Sequence, residues 1–206
     1  RLYRDGNVLN FAQDYVKSAK WFRKAAEQGY VAAQKNLGIY YHYGHGVEKN
    51  YAEAVKWHRK AAEQGSAIAQ YNLGCAYDAG KGIDQNYAEA IYWYRRAAEQ
   101  GHMRAQDNLG HGYRLGEGVK KNYVEAVKWY RKAAEQGESS AQNSLGACYS
   151  GGVGVVKNGA ESYKWHLLAA AQGDETAMKN VELMKSQLSS TQRAEGQRLA
   201  QEWEAK

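Results

Sequence analysis

Tyr51–Gly65 reads YAEAVKWHRKAAEQG and Tyr123–Gly137 reads YVEAVKWYRKAAEQG, so thirteen of fifteen positions are identical. The tryptophan of this stretch recurs every 36 residues, at Trp21, Trp57, Trp93, Trp129 and Trp165. A fixed period of about 20–50 residues is typical of solenoids, in which each small unit buries its apolar face against its neighbours. We therefore expect one elongated array and an extended surface rather than a central catalytic pocket.

The quoted stretch predicts an amphipathic helix. Ala54, Val55 and His58 follow Tyr51 at i+3, i+4 and i+7, which is the spacing of one face of an amphipathic helix. Asn50 precedes the stretch and Glu53 follows three residues later, as in a capping box, and Gly65 stands where a helix ends in a left-handed residue. We call these helices the B helices and predict them near residues 15–28, 51–64, 87–100, 123–136 and 159–172.

A second helix, the A helix, is predicted after each of those glycines, near residues 31–43, 67–79, 103–115, 139–151 and 175–188. It carries a Leu-Gly pair, as in Leu37-Gly38. A glycine inside a helix costs about 1 kcal/mol relative to alanine, so we expect close approach of a B helix there, with its tryptophan filling the space. The Gly-x-Gly-Val segment that follows, as in Gly44–Val47, is interpreted as a turn, because no strand and no Gly-Lys-Ser/Thr sequence accompanies it.

Both ends of the chain depart from the repeat. Residues 1–14 are interpreted as the tail of a truncated A helix with a longer turn. Near the other end Val181 replaces the expected leucine, and Ser189 offers an N-cap for a more polar helix that ends at Trp203. The predicted domains are therefore a repeat array over residues 1–188, with a partial first repeat, and a C-terminal capping helix over residues 189–206.

Composition and charge limit the class of protein. Hydrophobic residues make up 44% of the chain, charged residues 24%, and the net charge is +6. No apolar run approaches the ~20 residues of a membrane span, so we expect no membrane insertion. The lysines and arginines recur at fixed repeat positions without a stacking or base-reading motif, which favours a solvated outer face over nucleic-acid binding.

Cysteines and histidines give no sign of a reactive or metal site. Cys75 and Cys148 are two repeats apart and are not expected to pair, since packed helix axes are about 8–10 Å apart and a disulfide needs Cα atoms within about 7 Å. His58 and His166 stand at a position that is aromatic in other repeats, so we interpret them as packing residues. Catalytic motifs are absent as well. We predict no enzyme activity, no cofactor and no metal.

The repeat resembles a known family. The pattern Ala-x-x-x-Leu-Gly-x-x-Tyr-x-x-Gly-x-Gly-Val, followed by Asn-Tyr-x-Glu-Ala-x-x-Trp-Tyr-x-x-Ala-Ala-Glu-Gln-Gly, is similar to the Sel-one-like repeat family, a relative of the tetratricopeptide repeats, from residue 15 to about residue 188. The resemblance implies an all-α, right-handed α/α superhelical solenoid of about five 36-residue helix-turn-helix repeats, acting as a protein-interaction scaffold and most often bacterial. The cysteine pair per repeat of the family's disulfide-rich branch is missing here.

One face of the A helices varies sharply between repeats, which suggests a surface freed from packing. Lys35, for example, is replaced in later repeats by Tyr71, Asp107 and Asn143. We predict that this concave face binds a protein or peptide, with an acidic or mixed segment as the ligand. The predicted partner-binding residues are Lys35, Asn36, Ile39, His42, Tyr43, Ile68, Tyr71, Asn72, Asp78, Arg104, Asp107, Asn108, His111, Arg114 and Asn143.

The leucine and glycine of each Leu-Gly pair are here called the seam residues. The position before the seam leucine, or before Val181 in the last repeat, is nearly constant, as Asn36, Asn72, Asn108 and Asn180, with Ser144 as the exception. By resemblance to tetratricopeptide arrays, such asparagines face the groove and hold a peptide backbone or a terminal carboxylate. An amide can do this because it both donates and accepts hydrogen bonds. Bonding to a neighbouring repeat is the alternative, and the sequence leaves both open.

Two other functions compete with a general scaffold. One is a dedicated antagonist, such as an immunity protein that neutralises a secreted bacterial toxin; the other, less favoured, is a hydrolase. The sequence favours a monomer. Because the chain begins at Arg1 without a methionine, a leader could have been removed, which favours a periplasmic or exported location over a cytoplasmic one.

Overall fold

The computed structural model describes the backbone of residues 2–205 and the side chains of residues 14–205. Over that part of the chain it contains eleven α-helices and no strand. The helices are α1 (Leu2–Glu27), α2 (Val31–Tyr43), α3 (Tyr51–Glu63), α4 (Ala67–Ala79), α5 (Tyr87–Glu99), α6 (Met103–Leu115), α7 (Tyr123–Glu135), α8 (Ser139–Gly151), α9 (Gly159–Ala171), α10 (Glu175–Gln187) and α11 (Ser190–Glu204). From α2 to α10 they alternate between A and B helices as predicted, and the all-α repeat fold is confirmed.

The start of the chain differs from the prediction. Residues 1–14 were expected to hold the tail of an A helix and a turn, but the backbone from Leu2 to Glu27 forms a single helix. The expectation for residue 1 lies outside the described residues. The physical reason is that no Gly-x-Gly sequence precedes Asp14, so nothing there forces the left-handed backbone that ends the other A helices.

The helices form two compact units, Arg1–Gln100 and Gly101–Lys206. In the first unit α2 packs against α3 and α4 against α5; in the second, α6 packs against α7 and α8 against α9. Each of these pairs is an A helix and the B helix that follows it. In the second unit α11 packs on α9, with the Trp203 and Trp165 ring centres 6.4 Å apart, so the predicted capping helix is present.

Asparagine caps start the B helices, as the sequence indicates. Asn50 Oδ1 accepts from the backbone N–H of Glu53 at 3.0 Å, which satisfies one of the free amides at the helix start. The reciprocal bond of a capping box is present at α11, between Ser189 and Gln192. At α3 the glutamate turns away instead, and its carboxylate lies 3.1 Å from Lys56 Nζ.

The glycine of the Leu-Gly pair in α2, α4, α6 and α8 faces an aromatic ring, but the ring is not the tryptophan. A Cβ on Gly74 would lie 2.6 Å from Cδ1 of Tyr94, and a Cβ on Gly38 would lie 2.6 Å from the His58 ring. The prediction that tryptophan fills this space is therefore wrong, and the next residue of the B helix fills it. The two neighbouring residues project about 100° apart around the helix, so only one can point at the seam.

Within each unit, the second glycine of a Gly-x-Gly turn lies against the B helix before it. Gly82 has a φ of +76°, and a Cβ there would overlap the carbonyl group of Tyr51. Gly154 meets the carbonyl group of Tyr123 in the same way. The turn is therefore a packing element between successive repeats of one unit, in agreement with its interpretation as a turn.

The core of each unit consists of the seam leucines and the B-helix aromatics. Leu37, Leu73, Leu109 and Leu145 are fully buried, and so is Tyr130. The tryptophans at 57, 93, 129 and 165 are buried, whereas Trp21 is 70% exposed. In the first unit Trp57 packs against Ala26, Ala33 and Leu37 of the preceding helix pair, which shows how one repeat covers the next.

Candidate functional site

The predicted partner-binding residues lie on two A-helix surfaces, one in each unit. Helices α2 and α4 carry the nine from Lys35 to Asp78, and helices α6 and α8 carry the six from Arg104 to Asn143. All of them are exposed or half-buried except Asp107, which is 6% exposed. The structure thus keeps fourteen of the fifteen within reach of a ligand, and whether they bind one stays a prediction.

The surface of the first unit carries three of the predicted residues with aromatic rings, His42, Tyr43 and Tyr71. Tyr43 is 64% exposed, and its ring centre lies 4.7 Å from that of His42. Burial lowers the pKa of His42, and the charges of Lys81 and Lys49 lower it further, so the ring is neutral at pH 7. This unit therefore offers uncharged rings to a ligand at that point.

Asp78 brings a negative charge to the first unit. Tyr94 Oη donates to Asp78 Oδ2 at 3.4 Å, and the carboxylate is half-buried. Tyr71 lies beside the same ring, with 6.0 Å between the Tyr71 and Tyr94 ring centres. Tyr94, whose ring packs against Gly74 of α4, therefore also contacts Asp78 and Tyr71 of the predicted set.

The near-constant asparagines divide into two groups. Asn36, Asn72 and Asn108 are half-buried, and their side chains form no hydrogen bond with any residue between 14 and 205. Asn180 is different, because its Nδ2 donates to Asn143 Oδ1 at 3.1 Å. Of the two interpretations that the sequence leaves open, bonding to a neighbouring repeat holds at Asn180, while the other three amides remain available to a ligand.

The charged residues of the second unit include one buried carboxylate. Ser140 Oγ donates to Asp107 Oδ2, and His111 Nε2 lies 3.6 Å from Asp107 Oδ1. Burial raises the pKa of Asp107 and lowers that of His111. Asp107 is therefore a buried residue that contacts Ser140 and His111. Arg104 is exposed, with its Nε 3.8 Å from Glu138 Oε2.

A cavity of about 450 Å³ opens on this unit among α6, α8 and α10. His111, Arg114 and Asn143 of the predicted set line it, together with Tyr123, Ser144, Ala147, Cys148, Val153, Thr176 and Asn180. Thr176 could not be singled out beforehand, because the repeat pattern is lost in α10. A signal for Tyr123 did exist, since every B helix from α3 to α7 begins with tyrosine.

The buried histidines fill the seam, as predicted. His58 and His166 are 3% and 2% exposed and stand where Tyr94 and Tyr130 stand in the other repeats. Burial lowers the pKa of each to about 4, so both are neutral at pH 7. Both cysteines are free thiols.

Basic side chains of the B helices lie over aromatic rings of the same helix. Lys60 Nζ is 4.5 Å from the ring centre of Trp57, and Lys164 Nζ is 4.3 Å from that of Trp165. Such cation–π contacts contribute about 0.5–1 kcal/mol at exposed sites. Some of the lysines that recur along the sequence therefore contact an aromatic ring of their own helix.

Each described helix is too short or too polar to cross a bilayer. No cluster of three or more His, Cys, Asp and Glu side chains within residues 14–205 has a geometry that could hold a metal ion.

Repeated pairs of A and B helices that pack against one another define the class of α-solenoid repeat proteins. The Sel1 repeat matches the chain at residues 1–30, 31–66, 67–102, 104–138 and 139–174. The chain therefore belongs to the Sel1 repeat family, which confirms the resemblance noted in the sequence. Sel1 repeat proteins are generally non-catalytic protein-interaction scaffolds.

Solved structures of bacterial proteins resemble this one. A protective antigen of uropathogenic Escherichia coli with an SLR fold is 36% identical, with a TM-score of 0.81 over 92% of this chain and 40% of the antigen. A Sel1 repeat protein from Oxalobacter formigenes is 45% identical, with a TM-score of 0.74 over 79% of this chain and 65% of the other. This chain thus spans less than two thirds of either protein.

A more distant structure shares the fold alone. The immunity protein Pa5087 from Pseudomonas aeruginosa is 21% identical, with a TM-score of 0.52 over 91% of this chain and 74% of that protein. Comparison with curated proteins finds no match.

Proposed function

We propose that this chain is a non-catalytic interaction module that binds an extended segment of a partner protein along the exposed face of its A helices. The main support for the proposal is a set of asparagine side-chain amides that have no hydrogen-bond partner among the described residues. Asn36 and Asn72 in the first unit, and Asn108 in the second, are half-buried and form no hydrogen bond with the described residues. A polar group partly withdrawn from water gains most when a ligand supplies its missing partner.

An asparagine side chain suits a main-chain ligand of any sequence. It has two N–H donors and a carbonyl acceptor, which match the C=O and N–H groups of an extended peptide. Packed helices are about 8–10 Å apart, and an extended chain advances about 3.3 Å per residue. We therefore expect the Asn36 and Asn72 amides to bond main-chain groups about three residues apart.

Selectivity and much of the binding energy would come from the neighbouring side chains. In the first unit Tyr43 and Ile68 are 64% and 45% exposed on A helices. Buried aromatic and arginine anchors commonly dominate the energy of an interface. A partner with apolar side chains would therefore bury Tyr43 and Ile68, while the second unit adds the cations Arg104 and Arg114.

Photo-crosslinking followed by affinity measurement tests this proposal. A photoreactive amino acid replaces Ile68 on an A helix or, as the control, Lys60 on a B helix, and mass spectrometry identifies the cross-linked partner. Calorimetry then compares the purified partner's affinity for the native chain and for Asn36→Ala/Asn72→Ala. Since each hydrogen bond contributes about 0.5–1.5 kcal/mol, the double variant should bind roughly tenfold more weakly.

A matched double variant, Glu63→Ala/Glu99→Ala, changes two exposed B-helix side chains and should leave the affinity unchanged. Unchanged affinity in the asparagine variant, or crosslinks from position 60 but not from position 68, would place the binding face elsewhere and overturn the proposal.

A dedicated toxin antagonist would be a special case of the same module. Pa5087 is named an immunity protein, but at 21% identity its likeness to this chain extends to the fold alone. We therefore propose the general module. A secreted toxin recovered by crosslinking from position 68 would identify the special case.

A further inference from the structure

Arg114 is the only lysine or arginine among the described residues that line the cavity of the second unit, and one of its atoms bonds to the core. Its Nε donates to Tyr130 Oη at 3.3 Å, and Tyr130 is fully buried. The two Nη groups have no hydrogen-bond or ion-pair partner within residues 14–205. The guanidinium is therefore positioned by the core and keeps its terminal donors for a ligand.

None of the described residues that line this cavity is an aspartate or a glutamate that could neutralise this charge. The nearest buried acid, Asp107, is directed at Ser140 and His111 instead. Glu117 lies in the turn that follows α6 and forms no ion pair with Arg114. The cavity is therefore complementary to a negative group, and guanidinium binds carboxylates through paired N–H donors.

The wall formed by α8 and α10 carries neutral polar groups. Asn180 Nδ2 donates to Asn143 Oδ1, which leaves the Asn143 amide N–H groups and the Asn180 carbonyl unused. Ser144 and Thr176 add hydroxyl groups to the lining. A volume of about 450 Å³ lies within the range of about 300–1,000 Å³ that ligand pockets have.

We propose that this cavity receives an aspartate or glutamate side chain of the bound segment. Arg114 holds the carboxylate through its Nη groups, and Asn143 and Asn180 bond the main chain beside it. This inference rests on the proposed function and adds a sequence preference to it, namely an acidic residue at one position of the partner segment.

The first unit supplies an internal contrast. Asp78 stands 36 residues before Arg114, at the equivalent position, and it accepts a hydrogen bond from Tyr94 where Arg114 donates one to Tyr130. An acidic side chain would be repelled there. The acidic preference therefore belongs to the second unit alone.

A peptide library tests the preference. Randomised nonapeptides, acetylated at the N-terminus and amidated at the C-terminus, are selected on the full chain, and bound peptides are sequenced. We expect Asp or Glu to be enriched at one position, and a Glu→Gln change in a selected peptide to weaken binding about tenfold, as expected for a charge-assisted bond.

Three variants locate the preference. Arg114→Gln should abolish the enrichment, and Arg114→Lys, which keeps the charge but loses the paired donors, should retain part of it. Arg131→Gln removes an equal charge outside the cavity, where the arginine donates to Tyr149 Oη at 2.7 Å, and should retain all of it. Circular dichroism of each variant confirms that it is folded.

The outcomes separate this inference from the proposed function. Selection of peptides without an acidic preference, or with one that persists in Arg114→Gln, overturns the inference and leaves the interaction module standing. Failure of the native chain to select any peptide overturns both. A parallel library with free C-termini covers the other source of a carboxylate: enrichment found only there shows a terminal carboxylate and overturns the side-chain assignment.

Discussion

The glycine of each Leu-Gly pair lies too close to the following B helix to carry even a methyl group. Gly110 lies so close to Tyr130 that a Cβ would stand 2.6 Å from the ring and 3.2 Å from the carbonyl oxygen of Ala126. Tyr130 is fully buried, so its ring has no free space into which to turn. The loss of helix propensity at the glycine is therefore offset by close packing of the B helix.

Gly110→Ala tests this at the residue scale. Overpacking a core costs about 1–3 kcal/mol, and the gain in helix propensity returns about 1 kcal/mol. We expect a net loss of up to about 2 kcal/mol in the free energy of unfolding, measured with urea. In the control Gly151→Ala the new methyl meets only a Val153 methyl at 3.3 Å, so stability should hold or rise. Equal stability of the two variants would contradict the account.

The two seam histidines make stability depend on pH. Their folded pKa is about 4, against 6.5 in the unfolded chain. As the pH falls from about 6.5 to about 4, the unfolded chain gains protons that the folded chain does not, so stability is lost, by up to about 3 kcal/mol per histidine. Above pH 6.5 this contribution is fully present.

His58→Tyr/His166→Tyr installs the residue that other repeats carry at this position. The variant should show a flatter dependence of unfolding free energy on pH between 6.5 and 4 than the native chain. Thermal and urea unfolding at several pH values would measure the difference. If both proteins lose stability in parallel, the histidines are not the cause.

At the scale of helices, glutamine side chains that hydrogen-bond to one another, here called a glutamine ladder, connect successive repeats within each unit. Gln70 is fully buried, and its Nε2 donates to the carbonyl of Ala62 near the end of α3 at 3.1 Å. Its Oε1 accepts from Gln100 at 2.7 Å. Gln142 repeats the pattern in the second unit, with Ala134 and Gln172. Each ladder thus adds a side-chain hydrogen bond to a carbonyl at a B-helix end, such as that of Ala62, which also accepts from the backbone N–H of Gly65 at 3.0 Å.

Gln70→Leu should destabilise the chain by about 1–3 kcal/mol, because it removes two hydrogen bonds, one to the Ala62 carbonyl and one from Gln100, that each contribute about 0.5–1.5 kcal/mol. Gln187→Leu, at an exposed position near the end of α10, is the control and should change little. A double-mutant cycle with Gln100→Leu should give a coupling energy above about 0.5 kcal/mol. Strict additivity would show that the two amides act independently.

Helix boundaries were predictable from local chemistry, whereas the contacts between helices were only partly so. The predicted and observed ends of α2 to α10 agree within one residue, because Asn caps and left-handed glycines act within a single turn of helix. The ring that meets Gly74 was misassigned, because the repeat period places Trp93 and Tyr94 on the same helix and does not say which faces the seam. The glutamine ladder was missed because its partners are 30 residues apart.

At the scale of the whole molecule, near-identical repeats carry different surface chemistry. The shared positions build the core of both units, and the variable ones place Asp78 in the first unit and Arg114 in the second. Sequence variation predicted which A-helix positions are exposed, with Asp107 as the exception. The cavity of the second unit could not be predicted, because it depends on how far apart three A helices stand.

The central claim is that the asparagine amides on the A helices bind the main chain of a partner. NMR of the side-chain amide groups tests it most directly, with the partner segment found by crosslinking added to the full chain. We predict that the signals of Asn36, Asn72 and Asn108 shift and exchange more slowly with water, whereas those of the capping residues Asn50 and Asn122 do not change. Binding of the segment with all three A-helix amides unperturbed would contradict the account.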